Sequence, residues 1–371
     1  MATEPTTPSG VFDAVAAGGH EQVVFCHDPE SGLRAIIAIW STALGPSLGG
    51  TRFLPYPSEA DALADVLHLS RAMGYKNATA GLDLGGGKAV ILGDPRRHRS
   101  EALMRAYGRF VDSLGGRFLT AEDVGTTQAD MDLVGRETPY VAGTSRGAGD
   151  PSPVTAVGVH AAIRAAAAEG LGTADLAGRH VAIQGLGKVG RAVARLVHDD
   201  GARLSVADVD VAAVVAAEAG LGAEAVPPEK IHAVDCDIFS PCALGGSLSP
   251  DTVPELRCRV ICGAANNQMT SDAVAEAVAE RGIIAVPDFV ANAGGVINIA
   301  EELAGYDHER ALQRVRRIYE TTTAVIAAAA EVGITPLQAA RRMAEDRIAS
   351  VSRLSRIRAG RVDLRSYRER T

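Results

Sequence analysis

The chain has 371 residues, 47% of them hydrophobic and 22% charged, a composition typical of a globular protein large enough for two domains. Its formal net charge of -8 argues against a general nucleic-acid binder. Because the amino terminus lacks the basic start and apolar core of a signal peptide, and no segment reaches the ~18 consecutive apolar residues of a membrane span, we expect a cytoplasmic protein that binds no membrane.

The first half of the chain predicts a mixed unit of strands and helices. Two β-rich runs, QVVFCHD and LRAIIAIW, flank the turn 29–32 and predict an antiparallel hairpin. Ser58, with Asp61 three residues later, predicts the start of an amphipathic helix. Beyond it we expect a strand at 88–92, a helix over 101–114, and a short strand followed by a loop within 116–125.

A segment rich in glycine and proline at 145–156 marks a change of pattern. A helix is predicted over 154–169, and after it short apolar runs alternate with helical segments. These runs are HVAIQ, RLSVAD, CDIFSP, RVICGA and IIAVPD. Strands that alternate with helices predict an α/β fold with a parallel, doubly wound sheet. A helical region from about residue 308 closes the chain.

The first of these strands leads into a GxGxxG pattern formed by Gly185, Gly187 and Gly190. The pattern is weak alone, but a strand precedes it, a helix follows it, and Asp208 ends the next strand 18 residues past Gly190. In a dinucleotide site, the loop and helix N-terminus bind the pyrophosphate and the carboxylate accepts from the ribose hydroxyls. A glycine-rich turn without a ligand is the alternative. We therefore predict an NAD site at Gly185, Leu186, Gly187, Lys188, Val189, Gly190 and Asp208.

Three consecutive glycines, 85–87, precede Lys88 in the first half of the chain. The stretch is not a P-loop, because that motif needs a glycine where Leu82 stands and a serine or threonine where Ala89 stands. Lys88 differs from the usual surface lysine, since it lies between the glycines and the apolar AVIL of an expected buried strand. The pattern therefore favours a chemical role for Lys88.

Two further residues suit the same chemistry. Lys76 lies in a segment poor in charge, and Asp123 lies in the loop after a predicted strand. Two lysines in one cleft suit a substrate carboxylate, and burial together with a neighbouring lysine disfavours the charged form of each. A lysine that loses its proton near neutral pH can act as a general base, and Asp123 can exchange a proton with a substrate nitrogen. The residues alone indicate nicotinamide-dependent chemistry on a small anionic substrate.

The cysteines predict neither a disulfide framework nor a metal centre. They are Cys26, Cys236, Cys242, Cys258 and Cys262. An odd number without a secretion signal argues against disulfides. Cys258 and Cys262 have a spacing that a metal could use, but no nearby pair completes four ligands, and the nine histidines form neither HxxxH nor HExxH. We expect buried free thiols.

Six longer segments occur in order along the chain: LGPSLGGTRF, GYKNATAGLDLGGGKAVILGDP, TAEDVGTTQADMD, PSPVTAVGV, CGAANNQ and PDFVANAGGVIN. Together they resemble the leucine/valine branch of the amino acid dehydrogenases, a family that also includes the glutamate and phenylalanine enzymes. The resemblance runs from about Gly18 to the arginine-rich carboxyl-terminal segment. It implies oxidative deamination, in which an L-amino acid, NAD and water give a 2-oxo acid, ammonium and NADH.

The resemblance also implies roles for single residues. Lys88 would be the general acid/base that activates water for attack on the imine, Lys76 would bind the substrate carboxylate, and Asp123 would relay the proton to and from the amino group. The glycines before Lys88 would let the substrate and the nicotinamide approach the backbone. Thr155 and Asn292 would border the nicotinamide.

By position in the matching motifs, apolar residues would line a pocket for the substrate side chain, with Gly49 and Asn266 also at the substrate. The pocket residues are Leu48, Met73, Ala121, Val296 and Ile299. None could pair with a γ-carboxylate, which excludes glutamate, and their bulk favours a branched aliphatic side chain, valine first. A phenylalanine-specific member of the family and an inactive NAD-binding sensor are the alternatives, and Met73 could equally be a core residue.

The family's organisation implies two domains in a homo-oligomer. Residues 1–150, completed by helices at about 335–371, would form an α/β substrate and oligomerisation domain, and residues 151–334 a Rossmann dinucleotide-binding domain. Oligomers of such enzymes are built through the first domain. From Arg341 to Thr371, ten arginines stand against four carboxylates. Because the rest of the chain is acidic, this segment favours a solvated helix face or an oligomer contact over a nucleic-acid site.

Overall fold

The computed structural model describes residues 10–145 and 147–353, and these form two compact units. The first unit contains the described residues up to Gly149, Ile299–Tyr306, and the described residues from Ala344 onward. The second contains Asp150–Asn298 and Asp307–Met343. The chain thus returns twice to the first unit, whereas the sequence predicts one return at about residue 335. A continuous helical pattern does not mark where a helix passes from one core to another, so the earlier return has no sequence signal.

The first unit is built on a mixed five-stranded sheet in the order β1-β2-β4-β3-β5. Its strands are β1 (Gln22–Asp28), β2 (Leu33–Ser41), β3 (Ser47–Leu54), β4 (Gly85–Leu92) and β5 (Phe118–Glu122). β1 and β2 form the predicted antiparallel hairpin, and β2 pairs with β4 antiparallel. β3 pairs in parallel with both β4 and β5, so the carboxyl ends of these three strands share one edge of the sheet.

Two helices of this unit, those that follow Ser58 and Ser100, have predicted bounds, and both lie close to them. Ser58 caps α2 as predicted, because its hydroxyl accepts a hydrogen bond from the backbone N–H of Asp61 at 3.1 Å. α4 ends one residue before the predicted helix does. The helices are α1 (Val11–Gly18), α2 (Glu59–Thr79), α3 (Pro95–His98), α4 (Glu101–Ser113) and α5 (Gln128–Val134).

Alternating strand residues bury opposite faces of the sheet. One face packs against α4 and α5, where Tyr107 and Met131 lie in a cluster with residues of the central strands. The other face packs against α2 through a smaller apolar cluster that includes Ile36, Val66 and Val90. The sheet is therefore covered on both sides, which makes its central strands a dry environment for any charged side chain.

The glycine run lies inside β4, which begins at Gly85, three residues before the predicted strand. The space that side chains would need is filled by the protein itself. A Cβ at Gly85 would overlap a carbonyl oxygen of β2, and a Cβ at Gly86 would lie 2.5 Å from the backbone of α2. A Cβ at Gly87 would lie 2.7 Å from the ring of Phe118 in β5. The glycines thus allow close packing of β4, a different reason from the substrate approach that the family resemblance implies.

The second unit is built on a six-stranded sheet in the order β11-β10-β9-β6-β7-β8, with every strand pair parallel. This order is typical of dinucleotide-binding folds, and it confirms the predicted doubly wound sheet. Only β8 has no sequence prediction, because two residues leave no periodic pattern. The strands are β6 (His180–Gln184), β7 (Arg203–Ala207), β8 (Glu224–Ala225), β9 (Ile238–Pro241), β10 (Val260–Ile261) and β11 (Ile284–Ala285).

Helices accompany this sheet in alternation with its strands, and α6 packs against α7, α12 and α13. An apolar cluster that includes Phe239, Leu248 and Ile261 forms part of the core. α11 and α14 begin in the second unit and end in the first. The helices are α6 (Ser152–Leu171), α7 (Lys188–Asp199), α8 (Val211–Leu221), α9 (Asp272–Glu280), α10 (Asp288–Ala291), α11 (Gly294–Leu303), α12 (His308–Arg316), α13 (Ile318–Val332) and α14 (Pro336–Ser352).

All five cysteines are free thiols, as predicted; four are buried and Cys242 is partly exposed. Among the described side chains, no group of three or more His, Cys, Asp or Glu is placed to hold a metal ion. No single described helix is long and apolar enough to cross a membrane, and the bent pair His308–Val332 and Pro336–Ser352 passes that test only when both parts are taken together.

The described part of the arginine-rich segment makes contacts within the chain. Arg347 donates to the carbonyl oxygen of Leu82 at 2.7 Å and pairs with Asp83 at 2.8 Å. Arg341 pairs with Asp272 at 2.6 Å. The predicted solvated face or oligomer contact beyond residue 353 falls outside the described residues.

Candidate active site and cofactor loop

Lys88 and Asp123 form an ion pair in the first unit. Lys88 lies on β4 with its side chain only 7% exposed, and Asp123 directly follows β5 with its side chain 19% exposed. β3 separates the two strands and carries Gly50 at this level, opposite Ala121 of β5. A Cβ at Gly50 would lie 2.8 Å from the Cβ of Asp123, so the missing side chain leaves room for the pair to form.

Asp123 is held by more than Lys88. The carboxylate oxygen that binds Lys88 also accepts from Nε of Arg52 at 3.3 Å, and the other oxygen accepts from the backbone N–H of Val124 at 2.8 Å. Burial raises the pKa of Asp123, but the positive charges of Lys88 and Arg52 outweigh it and lower that pKa to about 2. Asp123 is therefore a carboxylate at neutral pH.

Sequence reasoning missed Arg52, which lies on β3 between Asp123 and α2. Its Nη1 donates to both oxygens of Asp65 in α2, at 3.3 and 3.1 Å. The hydroxyl of Tyr56 donates to Asp65 at 2.6 Å. A signal was present in the sequence, because Arg52 is the only charged residue in the otherwise apolar or small strand SLGGTRFL.

The residues predicted at the substrate divide between the two units. Leu48 is buried on β3 and Ala121 on β5. Met73 and Lys76 are partly exposed on α2, the helix that packs on β4. All of these belong to the first unit with Lys88.

Gly49 also belongs to the first unit, and a Cβ there would overlap the carbonyl oxygen of Gly87. Asn266 and Val296 belong to the second unit, whereas Ile299 belongs to the first. Val296 and Ile299 lie three residues apart on α11 and therefore share a face of that helix. The substrate roles of these residues stay predictions.

The predicted cofactor loop connects β6 to α7. Gly185 has φ +96°, a conformation that favours glycine, and a Cβ at Gly190 would overlap the carbonyl oxygen of Gly185. At Gly187, by contrast, no described atom lies within 4 Å of an added Cβ. The loop therefore packs tightly at its two ends and leaves open space at its middle glycine, where the backbone precedes the helix N-terminus.

The carboxylate of Asp208 lies beside this loop. It accepts a hydrogen bond from the backbone N–H of Leu186 and another from that of Asp210 at 2.8 Å. Lys188, the first residue of α7, pairs with Asp150 at 3.0 Å. Two apolar residues that sequence reasoning missed, Val209 and Leu244, are each 90% exposed. Both follow the carboxyl ends of strands of the parallel sheet, the edge at which such folds bind their ligands.

The other residues predicted at the nicotinamide lie near the start of α6 and the start of α11. Asn292 is buried and donates to the side-chain oxygen of Asn266 at 2.8 Å. Within the described part of the chain, Oδ1 of Asn292 has no hydrogen-bond partner. The hydroxyl of Thr155 donates to the carbonyl oxygen of Pro151 at 2.9 Å. A Cβ at Gly295 would lie 2.9 Å from the oxygen of that hydroxyl. Oδ1 of Asn292 therefore suits a ligand that carries an N–H donor.

Comparisons with known proteins identify the family of the chain. Residues 20–140 match the dimerisation domain of Glu/Leu/Phe/Val dehydrogenases, and residues 147–227 and 221–355 match the Glutamate/Leucine/Phenylalanine/Valine dehydrogenase domain. A leucine dehydrogenase from Bacillus cereus is 50% identical over 94% of this chain and 97% of its own length. A valine dehydrogenase from Streptomyces coelicolor is 52% identical over 90% of this chain and 93% of its own length.

A solved structure shares the fold as well. The crystal structure of L-tryptophan dehydrogenase from Nostoc punctiforme is 45% identical in sequence and superposes with a TM-score of 0.83. The match covers 92% of this chain and 99% of that chain. With family domains matched along nearly its whole length and relatives at about half identity, the chain belongs to the glutamate/leucine/phenylalanine/valine dehydrogenase family and is an amino acid dehydrogenase.

Proposed function

We propose that the protein catalyses NAD-dependent oxidative deamination of a branched-chain L-amino acid, with valine as the first candidate, to the 2-oxo acid and ammonium. The observation that carries the proposal is the buried ion pair between Lys88 and Asp123. Burying a lysine in the centre of a sheet is costly unless it is paired, and buried charge pairs of this kind are often found at functional sites. The leucine and valine dehydrogenase relatives, at 50–52% identity, support this class of substrate.

The first unit would supply the proton chemistry. Lys88 acts as the general acid/base: once its ammonium has given its proton to solvent, the free amine takes a proton from water as the water attacks the imine carbon of the oxidised substrate. Asp123 exchanges the proton of the substrate nitrogen, so that ammonia leaves as the 2-oxo acid forms. Lys76, in the last turn of α2, binds the substrate carboxylate. The nicotinamide of a bound NAD would supply the acceptor for the hydride that leaves Cα.

The second unit would hold the cofactor, and its loop fits a dinucleotide. The open space at Gly187 admits a pyrophosphate close to the backbone, and the N-terminus of α7 supplies unpaired N–H groups. The carboxylate of Asp208 accepts from the ribose hydroxyls, which favours NAD over NADP. The exposed side chains of Val209 and Leu244 suit the apolar faces of the adenine ring.

The residues predicted to line the pocket favour a substrate with an aliphatic side chain. Among them, Leu48 and Ala121 of the first unit are buried and apolar, so neither could pair with a γ-carboxylate. The relation to L-tryptophan dehydrogenase makes an aromatic amino acid the second candidate, because one pocket residue can alter such a preference. An NAD-binding sensor is less favoured, since it has no need for a paired lysine and aspartate.

The test is the initial rate of NAD reduction at 340 nm with valine, leucine, isoleucine, 2-aminobutyrate, phenylalanine, tryptophan and glutamate. We expect kcat/KM to be highest for a branched aliphatic substrate and undetectable for glutamate. A ratio below one for valine against phenylalanine or tryptophan would transfer the proposal to the aromatic class. NADH binding without turnover of any amino acid would favour the sensor.

We also propose that the protein is a homo-oligomer built through its first unit, because residues 20–140 match a dimerisation domain. Light scattering after size exclusion measures the mass directly. A mass of one 38.4 kDa chain at micromolar concentration would contradict this part of the proposal.

A further inference from the structure

We propose that Arg52 is a positioning residue for the proton transfer: clamped by Asp65, it fixes the carboxylate of Asp123 against Lys88. The inference rests on the proposed function, because it assigns Arg52 to the same reaction. Arg52 is not among the residues that the family resemblance implies at the substrate or the cofactor. Its role follows from the contacts that it makes on two sides.

The carboxylate of Asp123 is fixed from three directions. Lys88 approaches one oxygen from β4, and Nε of Arg52 approaches the same oxygen from β3 at 3.3 Å. The second oxygen accepts from the backbone N–H of Val124 at 2.8 Å. With both oxygens engaged, the carboxylate cannot turn about its terminal bond without losing a charged contact. Its orientation therefore depends on Arg52 as well as on Lys88.

Arg52 is itself held in place from the opposite side. Its Nη1 lies 3.1 and 3.3 Å from the two oxygens of Asp65, and Tyr56 donates to Asp65 at 2.6 Å. Burial and the hydrogen bond to Asp65 raise the pKa of Tyr56, so it stays a donor at neutral pH. A guanidinium is a rigid planar fork, so fixing Nη1 also fixes the direction of Nε. The clamp thus sets the angle at which Arg52 meets Asp123.

A second arginine in the same unit provides a matched control. Arg34 on β2 pairs with Glu59 in the first turn of α2, just as Arg52 on β3 pairs with Asp65 further along that helix. The side chains of the Arg34 pair are 54% and 74% exposed, against 19% and 26% for the Arg52 pair. Exposed pairs contribute little, and Arg34 has no contact with Asp123 among its described bonds. Substitution of Arg34 therefore measures the effect on activity of losing an ion pair between a strand and α2, without the loss of a contact to Asp123.

The experiment compares Arg52→Gln, Arg52→Lys and Arg34→Gln for kcat, KM and pH dependence with valine and NAD. A misplaced reacting group can cost about 100-fold, so we expect kcat of Arg52→Gln to fall by roughly 10-fold to 100-fold. KM for valine should change little, because Lys76 rather than Arg52 would bind the substrate carboxylate. Arg52→Lys should recover part of kcat, since it keeps the charge but loses the fork. Arg34→Gln should match the wild type.

The pH profile separates positioning from folding. The groups that face Asp123 are Lys88 and Arg52, with Asp65 and Tyr56 behind Arg52. The Arg52 cation helps to hold the pKa of Asp123 at about 2, so its removal should bring protonation of Asp123, and with it an acid limb of kcat, up into the range above about pH 3 in Arg52→Gln and back down in Arg52→Lys. A loss of folded protein would lower the profile at every pH without displacing it.

Two results would overturn the inference: a folded Arg52→Gln variant with wild-type kcat, or a profile that is lower but not displaced. If Arg52→Gln does not fold, Asp65→Asn and Tyr56→Phe loosen the clamp and leave Arg52 in place. Both should lower kcat by a smaller factor at constant KM, and wild-type kcat in both would equally overturn the clamp. Failure of the proposed function looks different, since the wild type itself would then form no NADH with any amino acid.

Discussion

Two segments of this protein have similar local sequences but differ in their secondary structure and in the burial of their lysine. GGGK at 85–88 and GLGK at 185–188 both place glycines directly before a lysine and an apolar residue. The first is a central strand, and its Lys88 is 7% exposed and paired with Asp123. The second is a loop before a helix, and its Lys188 is 71% exposed and paired with Asp150. The burial around the segment, not the segment itself, decides whether the lysine is a buried or a solvated cation.

The glycines differ in the same way. Those of β4 lie where neighbouring strands and α2 already fill the space, and they serve the packing of the protein. In the loop, Gly190 packs against Gly185, but Gly187 faces open space. Glycine runs of similar sequence therefore build a close-packed strand in one unit and a loop with open space at its middle glycine in the other.

The largest expected effect comes from replacing each of these two lysines by alanine. General acid–base catalysis contributes about 10²–10⁴-fold, so Lys88→Ala should lower kcat by that range. Lys188→Ala should leave kcat near the wild type and raise KM for NAD, because Lys188 would meet only the cofactor. Steady-state rates with valine measure both. Retention of most of kcat in Lys88→Ala would move the acid/base role to another residue.

The preference for NAD over NADP tests only the second of the two segments, the loop before α7. A 2′-phosphate on the ribose would meet the carboxylate of Asp208, and like charges in contact cost several kcal/mol. We expect kcat/KM for NAD to exceed that for NADP by at least about 100-fold. Asp208→Ala should lower the ratio of kcat/KM for NAD to that for NADP, mainly by weakening the binding of NAD. Equal kcat/KM for the two cofactors would refute the assignment of Asp208.

The glycines of the loop can be separated by a pair of alanine variants. Gly190→Ala would overlap the carbonyl oxygen of Gly185, and overpacking of this kind costs about 1–3 kcal/mol. It should lower the melting temperature and weaken NADH binding together. Gly187→Ala has the space for its methyl group, so its melting temperature should stay near the wild type while NADH binding weakens. Titration of NADH fluorescence and thermal unfolding measure the two effects, and unchanged affinity in Gly187→Ala would place the pyrophosphate elsewhere.

Local patterns in the sequence were sufficient for much of the fold. The β1–β2 hairpin, the Ser58 cap of α2 and the β6–loop–α7 motif each depend on residues close together in the chain, and each has the predicted form. The strands of the second unit alternate with helices, which determines a parallel sheet by connectivity alone.

The parts that escaped prediction depend on contacts distant in sequence. Arg52 meets Asp123 across 71 positions, through the parallel register of β3 and β5, which no single strand reveals. Gly85 looks like a loop residue until β2 is placed beside β4. The return of Ile299–Tyr306 to the first unit lies within a helix whose pattern is continuous. A lone charge in an apolar strand is the one sequence signal that could have singled out Arg52.

The two lysine–aspartate pairs should also differ in how stability responds to acid. The folded pKa of Asp123 is about 2, below its ordinary value of 3.8, so its ionisation stabilises the fold above pH 4 and that contribution is lost as the pH falls toward 2. The shift corresponds to about 2 kcal/mol in full. Urea unfolding of the wild type and Asp123→Asn between pH 7 and pH 3 measures it, with Asp150→Asn as the exposed control. The free-energy gap between wild type and Asp123→Asn should shrink as the pH falls. The gap for Asp150→Asn should be smaller at pH 7 and change less, because its pair with Lys188 is solvated. Partial burial raises the pKa of Asp150, but hydrogen bonds from Ser152 and Lys188 outweigh it and also lower that pKa. A gap for Asp123→Asn that is the same at pH 7 and pH 3 would mean that packing, not charge, holds Asp123 in place.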